Sequence, residues 1–425
     1  MIESAAVPHA DISRVHHRRE TCRVCASGPL DVFLSFGLMP LANAFLRSPD
    51  EFADEARYPL DVARCGTCSH VQLVDVIDPG VLFNDYLYVT GTSETMKAHN
   101  ADHVSALVRE LDLGAADLVV EVASNDGSLL RCFQDAGTRT LGIEPASNIA
   151  AVAAENGVET LTTFFDSASA DEIVAGYGQA RVVIAKNVLA HVDDPADFLL
   201  GCARVAGLQG VIVIEVPYLT DMIQRGEYDT IYHEHLSYFS MRSLLRLCES
   251  VALVVVNVER LTIHGGSLRL TLKSSPTSVK HCAEAEILVA AEIGARLDRV
   301  ERYEEFAADA ARNREGVREM LEQMQREGQS IAAYGAPAKG NTLLNWCRID
   351  TSLVEFTVDM NPLKVGMFTP GMHLPVQPVS ALLSRQPDRA LILAWNLAAE
   401  IKSQQREYRE RGGRFMIPIP HPQLV

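Results

Sequence analysis

The spacing of apolar and polar positions divides the chain into stretches of different period. LVVEVAS (118–124), TLGIEP (140–145), RVVIAKN (181–187) and VIVIEVP (211–217) are short, nearly continuous apolar runs, the pattern of strands buried on both faces. The stretch SLLRCFQDAG follows the first run with helical spacing, and a helix near 146–156 follows the second. Strand and helix alternating at this interval predict a parallel sheet with helices on both faces. From 279 to 328 Ala, Glu, Arg and Leu recur at helical spacing, predicting one or two long amphipathic helices between domains. At IAAYGAPAKGNTLLNW (331–346) a strand, a glycine turn and a helix begin again. LVEFTVDMNP (353–362) and RALILAW (389–395) continue as strands of a second, smaller α/β unit.

These changes set the expected boundaries: a flexible polar leader over 1–20, a cysteine-bearing domain over 21–92, an α/β domain over 93–278, a helical linker over 279–328 and a second α/β domain over 329–425. A chain of 425 residues with 48% apolar composition is too long for one core, consistent with several domains. No apolar run reaches the 18 or so residues of a membrane span. The opening MIESAAVPHADISRVHHRRE has no apolar signal core, so a cytoplasmic location is expected. The net charge of -17 argues against a nucleic-acid partner, because phosphate backbones are gripped by basic surfaces. It leaves room for one small anionic ligand held by a few donors.

Four of the nine cysteines form two pairs of equal spacing, Cys22-Arg-Val-Cys25 and Cys65-Gly-Thr-Cys68. Each pair can put two thiolates on one side of a tight turn, and two such turns supply the four sulfurs of a tetrahedral zinc site. Ligation by four cysteines leaves no open position, so a structural Zn2+ is expected. Neither pair opens a helix after a buried strand, which argues against redox chemistry.

The segment Glu121-Val122-Ala123-Ser124-Asn125-Asp126-Gly127 follows a strand and precedes a helix. A small-residue turn there lets a ligand approach the backbone and the helix N-terminus. It is not the GxGxxG of dinucleotide sites. Its acidic residue and small polar turn match the first motif of class I methyltransferases, with Ala123 where glycine is usual, so S-adenosylmethionine is the expected cofactor. Glu144, followed by Pro145, ends the next strand where a carboxylate reads ribose hydroxyls. Asn187 ends the third, at the cofactor side of the sheet. Asn187 and His191 are four apart at a strand-to-helix junction, and Tyr232-His233-Glu234-His235 gathers ionisable groups in one stretch. This is not HExxH, so a catalytic zinc is not supported; a histidine titrating near neutrality can instead take a proton.

On these residues the chain resembles the nucleotide-sugar C-methyltransferases of deoxysugar and antibiotic biosynthesis, the type of the sugar C-3-methyltransferase of the tetronitrose pathway. The likeness runs from the cysteine pairs through FNDYLYVTGTS (83–93), EVASNDGSLL (121–130), EPASNIA (144–150), NVLAH (187–191), EVPYL (215–219), YHEHLSYFS (232–240), IHGGSLR (263–269), YGAPAKGNTLLN (334–345) and AWN (394–396). The resemblance implies a class I S-adenosylmethionine-dependent methyltransferase sheet, Rossmann-like, with an N-terminal zinc-binding module and a C-terminal Rossmann-like domain. It implies methylation at C-3 of a dTDP-4-keto-deoxysugar, through removal of the C-3 proton and attack of the enolate on the cofactor methyl. His235 leads as base, with Glu234 and Tyr232 beside it; His233 leaves open which histidine acts. Asn187, His191 and a tyrosine of the Tyr86/Tyr88 pair line the sugar pocket. His264, Gly335, Lys339 and Asn341 are substrate-side candidates, the last three toward the phosphates, although the Gly335 turn is equally readable as a bare strand-to-helix turn. A monomer or weak dimer is expected. The alternatives are a methyltransferase for another keto or hydroxyl substrate, and a non-enzymatic adaptor built on the zinc turns, against which the acidic charge speaks.

Overall fold

Sequential pairing of short strands opens the structure, a computed structural model that describes residues 15–83, 94–261, 265–275 and 280–425. Strands β1 (His16–Arg18), β2 (Leu30–Pro40), β3 (Arg57–Cys65), β4 (Val71–Leu73) and β5 (Asp75–Ile77) make the N-terminal module. β2, β3 and β4 form an antiparallel meander, and β1 pairs with β5. The end of the expected leader is thus a strand. The cause is Asp75, a fully buried carboxylate that takes His16 at 3.0 Å and Arg18 at 3.2 Å; a buried charge needs such partners.

The second unit holds β6 (Leu118–Val122), β7 (Arg139–Ile143), β8 (Thr160–Leu161), β9 (Val182–Lys186), β10 (Val211–Pro217), β11 (Ser237–Tyr238), β12 (Leu253–Leu261) and β13 (Ser267–Ser274). Its sheet runs β12-β13-β10-β9-β6-β7-β8. β10, β9, β6, β7 and β8 are parallel, and β13 is antiparallel to both neighbours. Val119, Val182, Ile184 and Val213 pack on one face of this sheet, Val120, Val183, Ile212 and Ile214 on the other. Burial on both sides is why these strands read as unbroken apolar runs. The strand order reverses between β6 and β9, and the crevice beyond the carboxyl ends at such a point is where ligands bind in open α/β sheets.

β11 leaves this sheet altogether. It pairs with β4, extending the N-terminal sheet to β11-β4-β3-β2. The segment 279–328 is also less free-standing than a linker. Helix Ala283–Gly294 returns to the second unit, where Glu292 accepts hydrogen bonds from the backbone N–H of Met241 and Arg242 and from the Tyr218 hydroxyl. Helix Val300–Arg326 buries Tyr303, Phe306, Val317 and Leu321 in a core shared with the N-terminal and C-terminal units.

The C-terminal unit contains β14 (Ile331–Tyr334), β15 (Thr357–Asp359), β16 (Val376–Pro378), β17 (Arg389–Ile392), β18 (Arg414–Ile417) and β19 (Gln423–Leu424). Their order is β16-β15-β14-β17-β18-β19, parallel except for β19. This is the dinucleotide-fold order, again with a reversal beside the first strand.

Candidate active site and metal centre

The two cysteine pairs converge. Cys22 and Cys68 lie 3.5 Å apart, Cys25 and Cys65 3.6 Å apart, and all four sulfurs lie within 4.8 Å of one another. A tetrahedral zinc with Zn–S bonds of ~2.3 Å needs sulfurs roughly 3.8 Å apart, so the set fits the ion. Backbone N–H groups of Val24 and Thr67 donate to Cys22 and Cys65 sulfurs. Cys22, Val24, Cys65 and Cys68 share a core with Leu189 and Ala190 of the second unit.

At the carboxyl edge of β6 the backbone turns sharply. Ala123 (φ 56°) and Asn125 (φ 50°) adopt the left-handed conformation, as does Asn187 (φ 54°) after β9. Such positions cost on the order of 1 kcal/mol each for a residue with a Cβ and gather at ligand sites. Gly127 (φ 74°) precedes helix Ser128–Asp135, and a Cβ there would meet Val158 at 2.8 Å. Glu144 accepts from the Asn125 N–H and the Ala146 N–H, both at 2.9 Å, so it fixes the turn while facing the crevice. Burial raises its pKa. Pro145 follows it and leads into helix Ser147–Glu155. Glu121 is buried with Oε2 unpartnered, and burial holds its carboxyl well above the usual range. An uncommitted acidic oxygen on Glu121, a left-handed small-residue turn and a carboxylate at the end of the next strand suit the ammonium, sulfonium and ribose of S-adenosylmethionine.

Sequence reasoning missed the groups behind Glu121. Register pairs Glu215 of β10 with Lys186 of β9 and Arg269 of β13. Arg269 Nε donates to Glu215 at 2.7 Å, Lys186 Nζ lies 3.5 Å from it, and His99 and His103 approach at 3.7 and 3.9 Å. Against the effect of burial, the His99 contact with Lys186 and Arg269 holds Glu215 far below the usual carboxylate range. Burial lowers Lys186, and lowers His103 to about 3. The only sequence signal was that Lys186 precedes Asn187 and that Glu215 opens EVPYL.

Residues 232–235 do not all face one way. The Tyr232 hydroxyl and His235 Nε2 are 2.9 Å apart, and His235 Nδ1 meets the Thr230 carbonyl at 2.9 Å. A carbonyl can only accept, so Nδ1 carries the proton and the Nε2 lone pair takes the tyrosine hydroxyl. His191 packs edge-on to His235 with ring centroids 4.9 Å apart. Burial, then His235, lowers His191 to about 3, which keeps it neutral. Asn187 Oδ1 is buried without a partner. His233 turns away. Its Nε2 reaches the Pro59 carbonyl at 3.0 Å, its ring meets Tyr58, and burial lowers it to about 4. Glu234 accepts from Asn43 Nδ2 at 2.7 Å and faces the N-terminal module. Tyr86, Tyr88 and His264 lie outside the described residues.

In the C-terminal unit Gly335 (φ 89°) turns the chain after β14, and helix Ala338–Cys347 begins with no side-chain cap. Asp359, at the end of β15, accepts from the Ala336 N–H at 2.6 Å. Lys339 Nζ contacts Asn396 Oδ1 at 2.5 Å and lies 4.5 Å from the Trp395 ring centroid. Trp395 donates to Asp229, which joins this edge to the segment leading to Tyr232. Asn341 points elsewhere: it is buried and donates to the Ala42 carbonyl at 2.7 Å.

Comparison with known proteins identifies three family domains along the chain. A zinc binding domain family matches residues 22–83, a methyltransferase domain family 94–258 and a C-methyltransferase C-terminal domain family 262–420. The chain is 38% identical to the C-methyltransferase NovU of Streptomyces niveus over 96% of this chain and 97% of that protein. It is 27% identical to the ubiquinone biosynthesis O-methyltransferase of Methylococcus capsulatus over 33% of this chain and 65% of that protein. Among solved structures, magnesium protoporphyrin IX methyltransferase of Synechocystis PCC 6803 with bound SAM is 14% identical, covering 42% of this chain and 79% of that chain at a TM-score of 0.33.

Proposed function

The chain belongs to the S-adenosylmethionine-dependent C-methyltransferase family, and from that premise we propose that it methylates C-3 of a nucleotide-linked, dTDP-type 4-keto-deoxysugar. The observation that carries the reading is the Tyr232–His235 bond, locked from behind by the Thr230 carbonyl and set against His191. A carbon acid beside a carbonyl needs a base and a donor for the enolate oxygen, and this group offers both.

Ala123–Gly127 and Glu144 would hold S-adenosylmethionine, which when bound would supply an electrophilic methyl on sulfonium. The C-3 proton passes to the Tyr232 oxygen as the phenol proton moves to His235 Nε2, leaving the C–H electron pair in the enolate. Neutral His191 donates to the developing oxyanion, with Asn187 beside it. The enolate carbon would take the methyl that bound S-adenosylmethionine supplies, with S-adenosylhomocysteine as the leaving group, and the His235 imidazolium then returns its proton to solvent. To one tyrosine of the Tyr86/Tyr88 pair and to His264 we assign a role in sugar binding. Gly335 and Lys339 receive the diphosphate.

Both carbons flanking a C-4 carbonyl are acidic, so the test must tell them apart. Enzyme, S-adenosylmethionine and a dTDP-4-keto-6-deoxysugar are incubated in deuterated water and followed by NMR and mass spectrometry. Solvent deuterium at C-3 of recovered substrate and one added methyl at C-3 of the product are expected. Deuterium at C-5 of recovered substrate with methyl at C-5 of the product would overturn the regiochemistry, and methyl gain on oxygen would favour a hydroxyl acceptor.

A further inference from the structure

The first cysteine turn does more than present two sulfurs. Arg23 lies between Cys22 and Cys25, and its side chain is fully buried. Its Nε donates to Asp193 Oδ1 at 3.0 Å, and its Nη1 donates to the Leu73 carbonyl at 2.5 Å. Arg19 adds bonds to the same Asp193, to Oδ1 at 2.9 Å and to the backbone oxygen at 3.1 Å. Asp193 stands two residues beyond His191, in the loop that starts at Asn187.

The same turn reaches the second catalytic segment. The Arg23 N–H donates to Gln72 Oε1 at 2.8 Å. Gln72 pairs in register with Ser237, and the Leu73 N–H donates to the Leu236 carbonyl at 3.0 Å, directly after His235. His70, fully buried, bonds Ser237 Oγ at 3.2 Å. One residue of the metal turn is therefore tied to the chain on either side of the His191–His235 contact.

We propose that Arg23 is a positioning residue: seated in the cysteine turn, its guanidinium holds Asp193 and so fixes the loop of Asn187 and His191 against the Tyr232–His235 pair. A buried guanidinium has no water to fall back on, so its geometry is set by the turn that carries it, and the turn in turn is set by the four-sulfur cluster. Displacing reacting groups by about 1 Å can cost roughly a hundredfold in rate, so a slack loop is read in turnover before it is read in cofactor affinity. The inference rests on the proposed acceptor site.

The test compares zinc-loaded full-length wild type with Asp193→Ala and Arg23→Met. Asp193 has 39% of its side chain exposed and lies outside the metal turn, so Asp193→Ala carries the test if Arg23→Met sheds zinc. Zinc content, S-adenosylmethionine affinity by calorimetry, hydrogen exchange of peptides over 187–194 and steady-state rates are measured. Expected are one zinc per chain, cofactor affinity within about twofold, faster exchange over 187–194 and a kcat lower by about tenfold to a hundredfold. Unchanged exchange over 187–194 would overturn the positioning role. Faster exchange with unchanged kcat would instead overturn the acceptor-site reading.

Discussion

The two parallel sheets of this molecule share a plan and differ in charge. In each, a turn with left-handed residues follows the first strand, and a carboxylate at the end of the second strand accepts an N–H from that turn: Glu144 from Asn125, Asp359 from Ala336. Around the first turn the further acidic side chains are Glu121 and Asp126, both buried, with Lys186 behind Glu121. Around the second stand Lys339, with Asp229 and Glu227 beside it, and Lys364, which donates to the Ala336 carbonyl. On the reading we propose, one backbone solution serves ligands of opposite sign. The acidic edge suits a sulfonium and ammonium, and the cationic edge suits the diphosphate we assign to it. In the mechanism we propose, Asn187 and His191 come from the first edge, while Tyr232 and His235 lie on the segment tied to the second through the Trp395–Asp229 bond.

That division is open to attack, starting with the largest effect. His235→Asn removes the acceptor of the tyrosine proton; kcat should fall by about 10²–10⁴-fold, with deuterium wash-in falling equally and both ligand affinities kept. If wash-in persists, the base lies elsewhere. Glu144→Ala should weaken S-adenosylmethionine by roughly tenfold to a hundredfold, the worth of charged hydrogen bonds, while calorimetry with dTDP shows no change. Lys339→Met should do the converse, weakening dTDP by about tenfold and sparing the cofactor. Crossed effects in this pair would erase the comparison.

The smallest effect concerns Glu227, close to where the two units meet. Burial first, then Asp229, raises it to about 8, with Lys339 and Arg225 opposing and Asp221 adding to the rise. Between its ordinary value of 4.5 and about 8 the folded chain keeps a proton that the unfolded chain releases. The associated stability is fully present below pH 4.5 and declines as pH rises through that window. Glu227→Gln should flatten this slope, raising the thermal midpoint at pH 8 relative to pH 5 by on the order of 2 °C.

How far this was readable beforehand depends on the distance over which the information is written. The runs at 118–124, 181–187 and 211–217 became β6, β9 and β10 because strands buried on both faces need apolar residues at every position. The cysteine pairs were legible because each half of the site is contiguous. That Glu121, Glu144 and Asn187 fall near one sheet edge was legible because strand ends in this topology share it. The Glu215–Lys186–Arg269 cluster was not, because register joins it across strands far apart in the chain. Nor does composition say which way a side chain turns. His233 and Glu234 sit between Tyr232 and His235 yet meet Pro59 and Asn43, and Asn341 lies on the helix flank that meets Ala42.

The pairing of β11 with β4 bears on how such enzymes are recombined. A chimera cut cleanly at residue 93 would carry a two-residue strand made for another protein's sheet, with its backbone N–H and C=O groups facing a mismatched edge. Grafts meant to exchange specificity between relatives should therefore move 232–240 together with the cysteine module, as one hereditary unit split in two along the chain.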